Sequence, residues 1–391
     1  MSVNEMPGCR IAVRAVGGTR RRRLAVVKPA ALGIPAVALL MSAGVASAAT
    51  AHHAAHSVKR TARPASAASV TWHPLNLLNG WQTAAGRGSP EYAISNGVVY
   101  LNGGLAQPSN GPEQFAALPK AARPSHAIYR SVTGFAGVEV TLFILPSGVI
   151  QVYSNPASTA QQFSSLAGVS FPVAGTTWHK LSLINGWTSA QTGNNSGAPA
   201  YAVKNGIVYL SGSLKQTKGA STTFAVLPKA ARAGVRMYLT DYTANQTSGT
   251  LIIGRTGAMS IVSGPQSAAQ TFTSLAAISY PANGIRWHNL TIKNGWAPTS
   301  SGTGSPAYAV KNGIVYLSGT LHQPSGNLIQ IARTPAGIRP ATPLTMPIYT
   351  NGGTYGYFAV GPNPRMAVVS NPAGNAQAFA SLAAISYPLG S

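Results

Sequence analysis

The chain is built from short apolar and β-branched runs that are separated by turn residues. In residues 199–212, PAYAVKNGIVYLSG, two such runs flank Asn205 and Gly206. An Asn-Gly pair favours a type I′ turn, because both central residues of that turn take a positive φ. The stretch therefore predicts a β-hairpin. The predicted cross-strand pairs are Lys204 with Ile207, Val203 with Val208, Ala202 with Tyr209, and Tyr201 with Leu210.

The two faces of this hairpin differ in character, since successive side chains of a strand point to opposite faces. One face carries Tyr201, Val203, Val208 and Leu210, and the other carries Ala202, Lys204, Ile207 and Tyr209. We expect the first face to be the core. The hairpin holds no acid or nucleophile, so it predicts a scaffold element. If it has a functional side, that side is the face with Lys204 and Tyr209.

The hairpin belongs to a unit that occurs three times. The same fourteen letters return at 306–319, and the looser PEYAISNGVVYLNG occupies 90–103. The Trp-His pairs at 72, 178 and 287 start the three copies, at spacings of 106 and 109 residues. Solenoid repeats run at roughly 20–50 residues, so this period indicates a domain duplication. We predict domains at 71–176, 177–285 and 286–391.

Composition supports an all-β fold. Charged residues make up only 8% of the chain, and it has 42 glycines and 28 prolines. Many turn residues and few helix formers favour strands joined by tight turns. The sequence therefore predicts three tandem antiparallel β-sandwich domains.

The N-terminus has the pattern of a secretory signal peptide. Four arginines at 20–23 precede an apolar stretch at 24–45, which ends in Ala46-Ser47-Ala48. We predict a signal peptide at 1–48 and a flexible linker at 49–70. An uncleaved membrane anchor is the less favoured alternative, because Lys28 and Pro35 interrupt the apolar run. The expected mature protein is secreted or held at the cell surface and has no transmembrane segment; the export route and the oligomeric state are left open.

The charge balance favours anionic partners. The formal net charge of +23 rests on 28 lysines and arginines against five acids. Loss of 1–48 removes seven cations and one acid, which leaves +17. Such a surface suits a polysaccharide or anionic wall polymer, and no motif indicates a specific nucleic acid. The alternative is a merely solubilising charge. Cys9, the one cysteine, lies in the predicted signal peptide, so disulfides and thiolate chemistry are not expected.

Nine recurring residues are candidates for ligand binding. The strand that opens each repeat places its tryptophan opposite the apolar side, where the ring either stacks on a sugar or seals a neighbouring domain. The arginine after each proline turn either contacts an anion or bonds loop carbonyls. The candidates are Trp72, Trp178, Trp287, Tyr100, Tyr209, Tyr316, Arg123, Arg232 and Arg339. The tryptophans of the three Asn-Gly-Trp motifs, Trp81, Trp187 and Trp296, are predicted to be core residues.

Catalytic chemistry is poorly represented. The acids beyond the signal peptide are Glu91, Glu113, Glu139 and Asp241, and none recurs at an equivalent position; Asp241 is assigned to a loop of repeat 2. A glycosidase needs two carboxylates across one bond, and a catalytic triad needs an acid beside its histidine. His73, His179 and His288 recur alone, on the apolar side of their strand, and are expected to be half-buried. We predict no enzyme activity, no metal site and no cofactor.

Several strings of repeat 1 resemble a known module. VVYLNGGL at 98–105, FAALPKAARPSHAIYR at 115–130 and FSSLAGVSFP at 163–172 are similar to β-sandwich modules of phage tail-fibre and receptor-binding proteins, and of exported actinobacterial proteins without an assigned function. The resemblance implies a jelly-roll-like antiparallel sandwich and a binding role at a cell envelope.

Three functions therefore stand as expectations. The first is a secreted, non-enzymatic protein that binds carbohydrate or an anionic envelope polymer through its repeats. The second is a structural or assembly protein without a small ligand. The third, least favoured, is a hydrolase with its site in one repeat.

Overall fold

The hairpin predicted for residues 199–212 is present in the computed structural model, which describes residues 70–299 and 302–391. All four predicted cross-strand pairs are confirmed. Asn205 and Gly206 have φ values of 51° and 72°, as a type I′ turn requires. The predicted signal peptide, and the predicted linker apart from Val70, lie outside the described residues.

The described chain is all-β, with antiparallel strands and a few short helices. Repeat 1 contains β1 (Trp72–Pro74), β2 (Gln82–Thr83), β3 (Glu91–Ser95), β4 (Val98–Asn102), β5 (Gly104–Ala106), β6 (Gln114–Ala117), β7 (Ile128–Thr133), β8 (Glu139–Ile144), β9 (Val149–Tyr153), α1 (Ala157–Gln162), β10 (Ser164–Ser165) and β11 (Ser170–Pro172), with 3-10 helices at Lys120–Ala122 and Phe135–Gly137.

Repeat 2 has the same elements in the same order. They are β12 (His179–Lys180), β13 (Trp187–Ser189), β14 (Ala200–Lys204), β15 (Ile207–Ser211), β16 (Ser213–Gln216), β17 (Thr223–Val226), β18 (Met237–Thr243), β19 (Thr247–Ile253), β20 (Ala258–Ser263), α2 (Gln266–Thr271), β21 (Thr273–Ser274) and β22 (Ile278–Pro281), with 3-10 helices at Lys229–Ala231 and Ala244–Gln246.

Repeat 3 closes the series. It contains β23 (His288–Asn289), β24 (Ala297–Pro298), β25 (Ala307–Lys311), β26 (Ile314–Ser318), β27 (Thr320–His322), β28 (Gln330–Ala332), β29 (Leu344–Thr350), β30 (Thr354–Val360), β31 (Met366–Ser370), α3 (Ala373–Ala378), β32 (Ala380–Ser381) and β33 (Ser386–Pro388), with 3-10 helices at Ala336–Ile338 and Asn351–Gly353.

Each repeat pairs a small sheet with a larger one. The small sheets have the orders β1-β3-β4-β11, β12-β14-β15-β22 and β23-β25-β26-β33. The larger sheets of repeats 2 and 3 have seven strands, β13-β16-β21-β18-β19-β20-β17 and β24-β27-β32-β29-β30-β31-β28. Repeat 1 splits this sheet into β10-β5-β2 and β6-β9-β8-β7, which a bridge between Gly134 and Ser164 connects.

The three apolar cores interlock, because each one is completed by the next repeat. Ala276 and Ala277 of repeat 2 belong to the core cluster of repeat 1. Ala383 and Ala384 of repeat 3 pack against the core of repeat 2, and Ala167 of repeat 1 belongs to the core of repeat 3. The contacts therefore run from repeat 1 to 2, from 2 to 3, and from 3 back to 1. All described residues fall within one compact unit.

A fourth apolar cluster lies where the three hairpins meet, and we call it the axial cluster. Each hairpin contributes two side chains, which together are Val98, Tyr100, Ile207, Tyr209, Ile314 and Tyr316. The equivalent strands β7, β18 and β29 also contact one another pairwise. The repeats thus form a closed ring with approximate threefold equivalence. Among the described residues, none of the helices has the length and apolarity needed to cross a bilayer.

The axial cluster corrects the prediction of a single buried hairpin face. Ile207 and Tyr209 are only 2% and 3% exposed, although they lie on the face that was not assigned to the core. Val203, which was assigned to the core, is 39% exposed. The neighbouring repeats cover the second face, and alternation within one strand does not reveal such a partner.

Candidate functional site

The candidate tyrosines meet on the axis of the ring. Tyr100, Tyr209 and Tyr316 are buried in the axial cluster, where the three hairpins meet. Burial is the main reason why the pKa of each hydroxyl is raised. Their described surroundings are other residues of the chain, and the rings serve as contacts between the repeats.

The candidate tryptophans lie beside this cluster. Trp72, Trp178 and Trp287 are half-buried and pack against it. The indole nitrogens of Trp72 and Trp178 are buried without a hydrogen-bond partner in the described part of the chain. This placement matches the sealing alternative for these rings. Trp81, Trp187 and Trp296 are confirmed as core residues, and each donates its indole N–H to a loop carbonyl.

The recurring histidines are exposed, so the prediction of half-buried histidines is wrong. His73 lies opposite Tyr92 on the edge strand β1, and the two rings stack at 5.3 Å. His179 and His288 make the same contact with Tyr201 and Tyr308. The tyrosine is the side chain that covers the core, and the histidine lies over it on the solvent side.

The recurring arginines brace the proline turns. The Nε atom of Arg123 donates to the carbonyl of Leu118 at 3.1 Å, and Arg232 and Arg339 donate to Leu227 and Thr334 at 3.0 and 3.2 Å. These bonds match the loop-carbonyl alternative. The rest of each guanidinium group remains accessible, since all three residues are half-buried or exposed.

The exposed charge of the described chain is entirely positive. No described acid belongs to the exposed residues: Glu91, Glu113 and Glu139 are half-buried and Asp241 is buried. Twelve described cations are exposed, namely Lys120, Lys180, Lys215, Lys218, Lys229, Arg236, Arg255, Arg286, Lys293, Arg333, Arg339 and Arg365. The protein therefore presents a cationic surface with little internal compensation.

A group of cations lies at one end of the strands, and the acids lie away from that end. The hairpin tips lie at one end of the ring, where the Nζ atom of Lys204 donates to the carbonyl of Gly97 at 3.2 Å. Backbone bonds from residues 173 and 174 to Gly97 and Arg123 place the proline turn at the same end. We call this region the hairpin end. Its cations include Lys120, Arg123, Lys204, Lys229, Arg232, Lys311 and Arg339.

The acids begin the strands that run toward the hairpin end. Glu91 is the first residue of β3, Glu139 is the first residue of β8, and Glu113 immediately precedes β6. A five-residue strand spans about 16 Å. The acids thus stand well away from the hairpin-end cations, beyond the Debye length of about 8 Å at physiological salt.

Sequence reasoning missed the aromatic contacts between repeats. Tyr129 of repeat 1 stacks on Tyr242 of repeat 2 at 5.7 Å, and Phe272 lies edge-on to both rings. Repeats 2 and 3 repeat this triad with Tyr238, Tyr349 and Phe379. One sequence pattern could have indicated these contacts. Tyr129 and Tyr238 are 109 residues apart and hold equivalent positions in β7 and β18.

The third junction, between repeats 3 and 1, has polar side chains in place of the aromatic triad. We call the group of Arg130, Glu139, Asp241 and Tyr355 the polar junction. Arg130 is buried and donates from a guanidinium nitrogen to the carbonyl of Thr240 at 3.3 Å. The hydroxyl of Tyr355 donates to Thr133 at 2.9 Å, which connects repeats 3 and 1. The four side chains come from all three repeats, so this junction also closes the ring.

Asp241 lies within β18, so its assignment to a loop is wrong. It occupies the position that Val132 and Ile348 hold in the other repeats. One carboxylate oxygen accepts the N–H of Tyr242 at 2.9 Å, and the other is buried without a partner in the described chain. Burial raises the pKa of Asp241 to about 8 and that of Glu139 to about 7, although Arg130 opposes both shifts.

The described residues form no metal-binding cluster. No group of three histidine, cysteine, aspartate or glutamate side chains is placed to hold a metal ion in the described part of the chain. Comparison of the chain with protein-family models, curated proteins and solved structures finds no match.

Proposed function

We propose that this protein is a non-enzymatic binding protein of the cell envelope that recognises an anionic polymer through the hairpin end. The observation that supports this proposal is the separation of charge: seven cations lie at that end, while the acids stand at the far ends of the strands or inside the ring. The expected export signal is consistent with a partner outside the cell.

The closed ring holds the cations of the three repeats at fixed positions, which suits binding to a polymer. Equivalent turns of the three repeats carry Lys120, Lys229 and Arg339 on a fixed frame, so one chain of regularly spaced anions can contact several of them at once. The six candidate tryptophans and tyrosines pack in or against the axial cluster, so most of their ring surface contacts other residues of the chain. The proposal therefore rests on the cations and not on aromatic stacking in open grooves.

We expect charge removal at the hairpin end to weaken polymer binding. The triple variant Lys120→Gln, Lys229→Gln, Arg339→Gln should lower the affinity for polyphosphate or heparin about tenfold, because each lost contact costs a fraction of a kcal/mol to about 1 kcal/mol. Binding of the unmodified protein should weaken steeply as salt is raised. Calorimetric titration at several salt concentrations measures both effects.

A matched variant removes the same charge elsewhere. Lys215, Lys218 and Lys293 are exposed and lie at or near the Asn-Gly-Trp turns, away from the hairpin end. Their replacement by glutamine should leave at least half of the affinity. If both triple variants lose affinity equally, the charge acts only as a general surface property and the proposal fails.

The second candidate is a structural or assembly protein that takes no ligand. The packing of the six candidate tryptophans and tyrosines between repeats favours it. This candidate predicts that no anionic or neutral polymer binds even at low salt, which is the result that separates it from the first.

A further inference from the structure

A cavity of about 310 Å³ lies between repeats 2 and 3. Repeat 2 forms one wall with residues 233–235, 237 and 280–285, and repeat 3 forms the other with Trp287, Leu317, Ser318 and Ala384. This volume falls at the lower end of the range of about 300–1,000 Å³ that is typical of small-molecule sites. One sugar ring with a short substituent fits such a space.

The small side chains of repeat 2 explain why space is left at this junction. Gly234 and Val235 stand where repeat 1 has Ser125 and His126. The ring of His126 lies against Gly197 of the following repeat, and Val235 lies against the equivalent Gly304.

At the junction of repeats 3 and 1, Ser391 lies against Ala341 and Thr342, which are the equivalents of Gly234 and Val235. The carbonyl of Ser391 accepts the N–H groups of Ala341 and Thr342, and Ser391 is buried. Gly234 is smaller than Ser125 and Ala341, which hold the equivalent positions in repeats 1 and 3, so this position leaves the most room at the junction between repeats 2 and 3.

The wall chemistry selects an uncharged amphipathic ligand. Among the described residues that line the cavity, none carries a charge. A buried ion would find no counter-charge there, which is costly. Trp287 packs against the axial cluster and also lines the cavity, so it offers ring surface to a ligand. Val235, Met237 and Ile285 add apolar surface.

Two polar side chains complete the site. The Ser318 hydroxyl and the Asn283 amide line the cavity, and neither side chain bonds to another residue of the described chain. An amide group can donate to and accept from such partners. An acetamido substituent supplies both this amide and a methyl group for the apolar wall.

We propose that the cavity between repeats 2 and 3 binds one uncharged pyranose residue that carries an acetamido group. Trp287 stacks on the ring, and Ser318 and Asn283 bond the acetamido group and a neighbouring hydroxyl. The inference rests on the proposed function, since it supplies a specific sugar contact within the recognised polymer. Binding of this sugar differs from binding of the polymer at the hairpin end, because it does not depend on charge.

The test uses a neutral monosaccharide at high salt, where contacts at the hairpin end are screened. In about 1 M NaCl the Debye length is ~3 Å. Methyl N-acetyl-β-glucosaminide should give a saturation-transfer NMR signal with the full protein and perturb the indole resonance of Trp287. Methyl β-glucoside, which lacks the acetamido group, should bind at least tenfold more weakly.

Variants that copy repeat 1 locate the site. Gly234→Ser with Val235→His should abolish the signal, and Gly304 leaves room for the new ring as Gly197 does for His126. Ser318→Ala should weaken binding about tenfold without changing the cavity walls. His126→Val, at the other junction, is the matched control and should bind normally.

Three results would overturn the inference: no binding of the acetamido sugar, binding that survives the double variant, or binding of indole in place of the sugar. Failure of the proposed function has a different signature. There the hairpin-end variants retain polymer affinity, whatever the monosaccharide does.

Discussion

Replacement of Tyr209 by alanine is expected to lower the free energy of unfolding by about 3–5 kcal/mol, the usual cost of removing a buried aromatic side chain. Tyr209 lies in the axial cluster, where it touches residues of all three repeats. The loss is therefore shared by the whole ring. Chemical denaturation followed by tryptophan fluorescence should show one transition, displaced to lower denaturant concentration.

The same hairpin provides the control. Val203 lies six residues before Tyr209 and is exposed to solvent. Val203→Ala should change the free energy of unfolding by no more than about 0.5 kcal/mol. If Tyr209→Ala and Val203→Ala cost the same, the axial cluster does not hold the ring together. Tyr209→Phe keeps the aromatic ring of the side chain and separates the contribution of the hydroxyl group from that of packing.

Stability is expected to fall as the pH rises from 5 to 8. Burial raises the pKa of Asp241 from its ordinary value of 3.8 to about 8, and that of Glu139 from 4.5 to about 7. Between these limits the folded protein holds protons that the unfolded chain has lost. Stability from these groups is therefore complete below about pH 4 and is lost toward pH 8. We expect a loss on the order of 1–3 kcal/mol, measured by denaturation at each pH.

The other repeats supply the replacements that test this assignment. Arg130 and Asp241 align with Met346 and Ile348 of repeat 3. The double variant Arg130→Met, Asp241→Ile should flatten most of the pH dependence, with Glu139 as the remaining titrating group. It should be neutral to about 1–4 kcal/mol more stable at pH 8, because apolar packing often replaces a buried charged group without loss. An unchanged pH slope would contradict the role of Asp241.

Local structure was predictable where turn chemistry decides it. The Asn-Gly pair determined the register of the hairpin, and the tryptophans of the three Asn-Gly-Trp motifs were correctly placed in the core. Both results depend on residues close in sequence. The all-β fold is consistent with the same turns and with the scarcity of charged helix formers, since the chain has only five acids.

Contacts between the repeats were beyond the reach of such patterns. Alternation separates two faces of a strand, but a face with Lys204 and Tyr209 looks the same whether water or a second repeat covers it. For this reason Ile207 was not recognised as buried. Asp241 was misplaced for a related reason, since one acid at an apolar strand position resembles a loop residue until the buried Arg130 of the neighbouring repeat is seen near it.

The candidate site likewise combines features that the sequence predicted with features that depend on contacts between the repeats. The sequence supplied the excess of positive charge and the recurring arginines, whereas the separation of that charge depends on which strand ends meet in the ring. The cavity beside Trp287 arises from Gly234 and Val235, whose effect is visible only against the equivalent junctions.

Scanning calorimetry of the protein shows whether the three repeats form one interlocked ring. Interlocked cores should unfold together, so we expect one heat-absorption peak whose calorimetric and van't Hoff enthalpies agree. Independent domains would unfold separately. Two or three resolved transitions, or a calorimetric enthalpy about three times the van't Hoff value, would contradict the account.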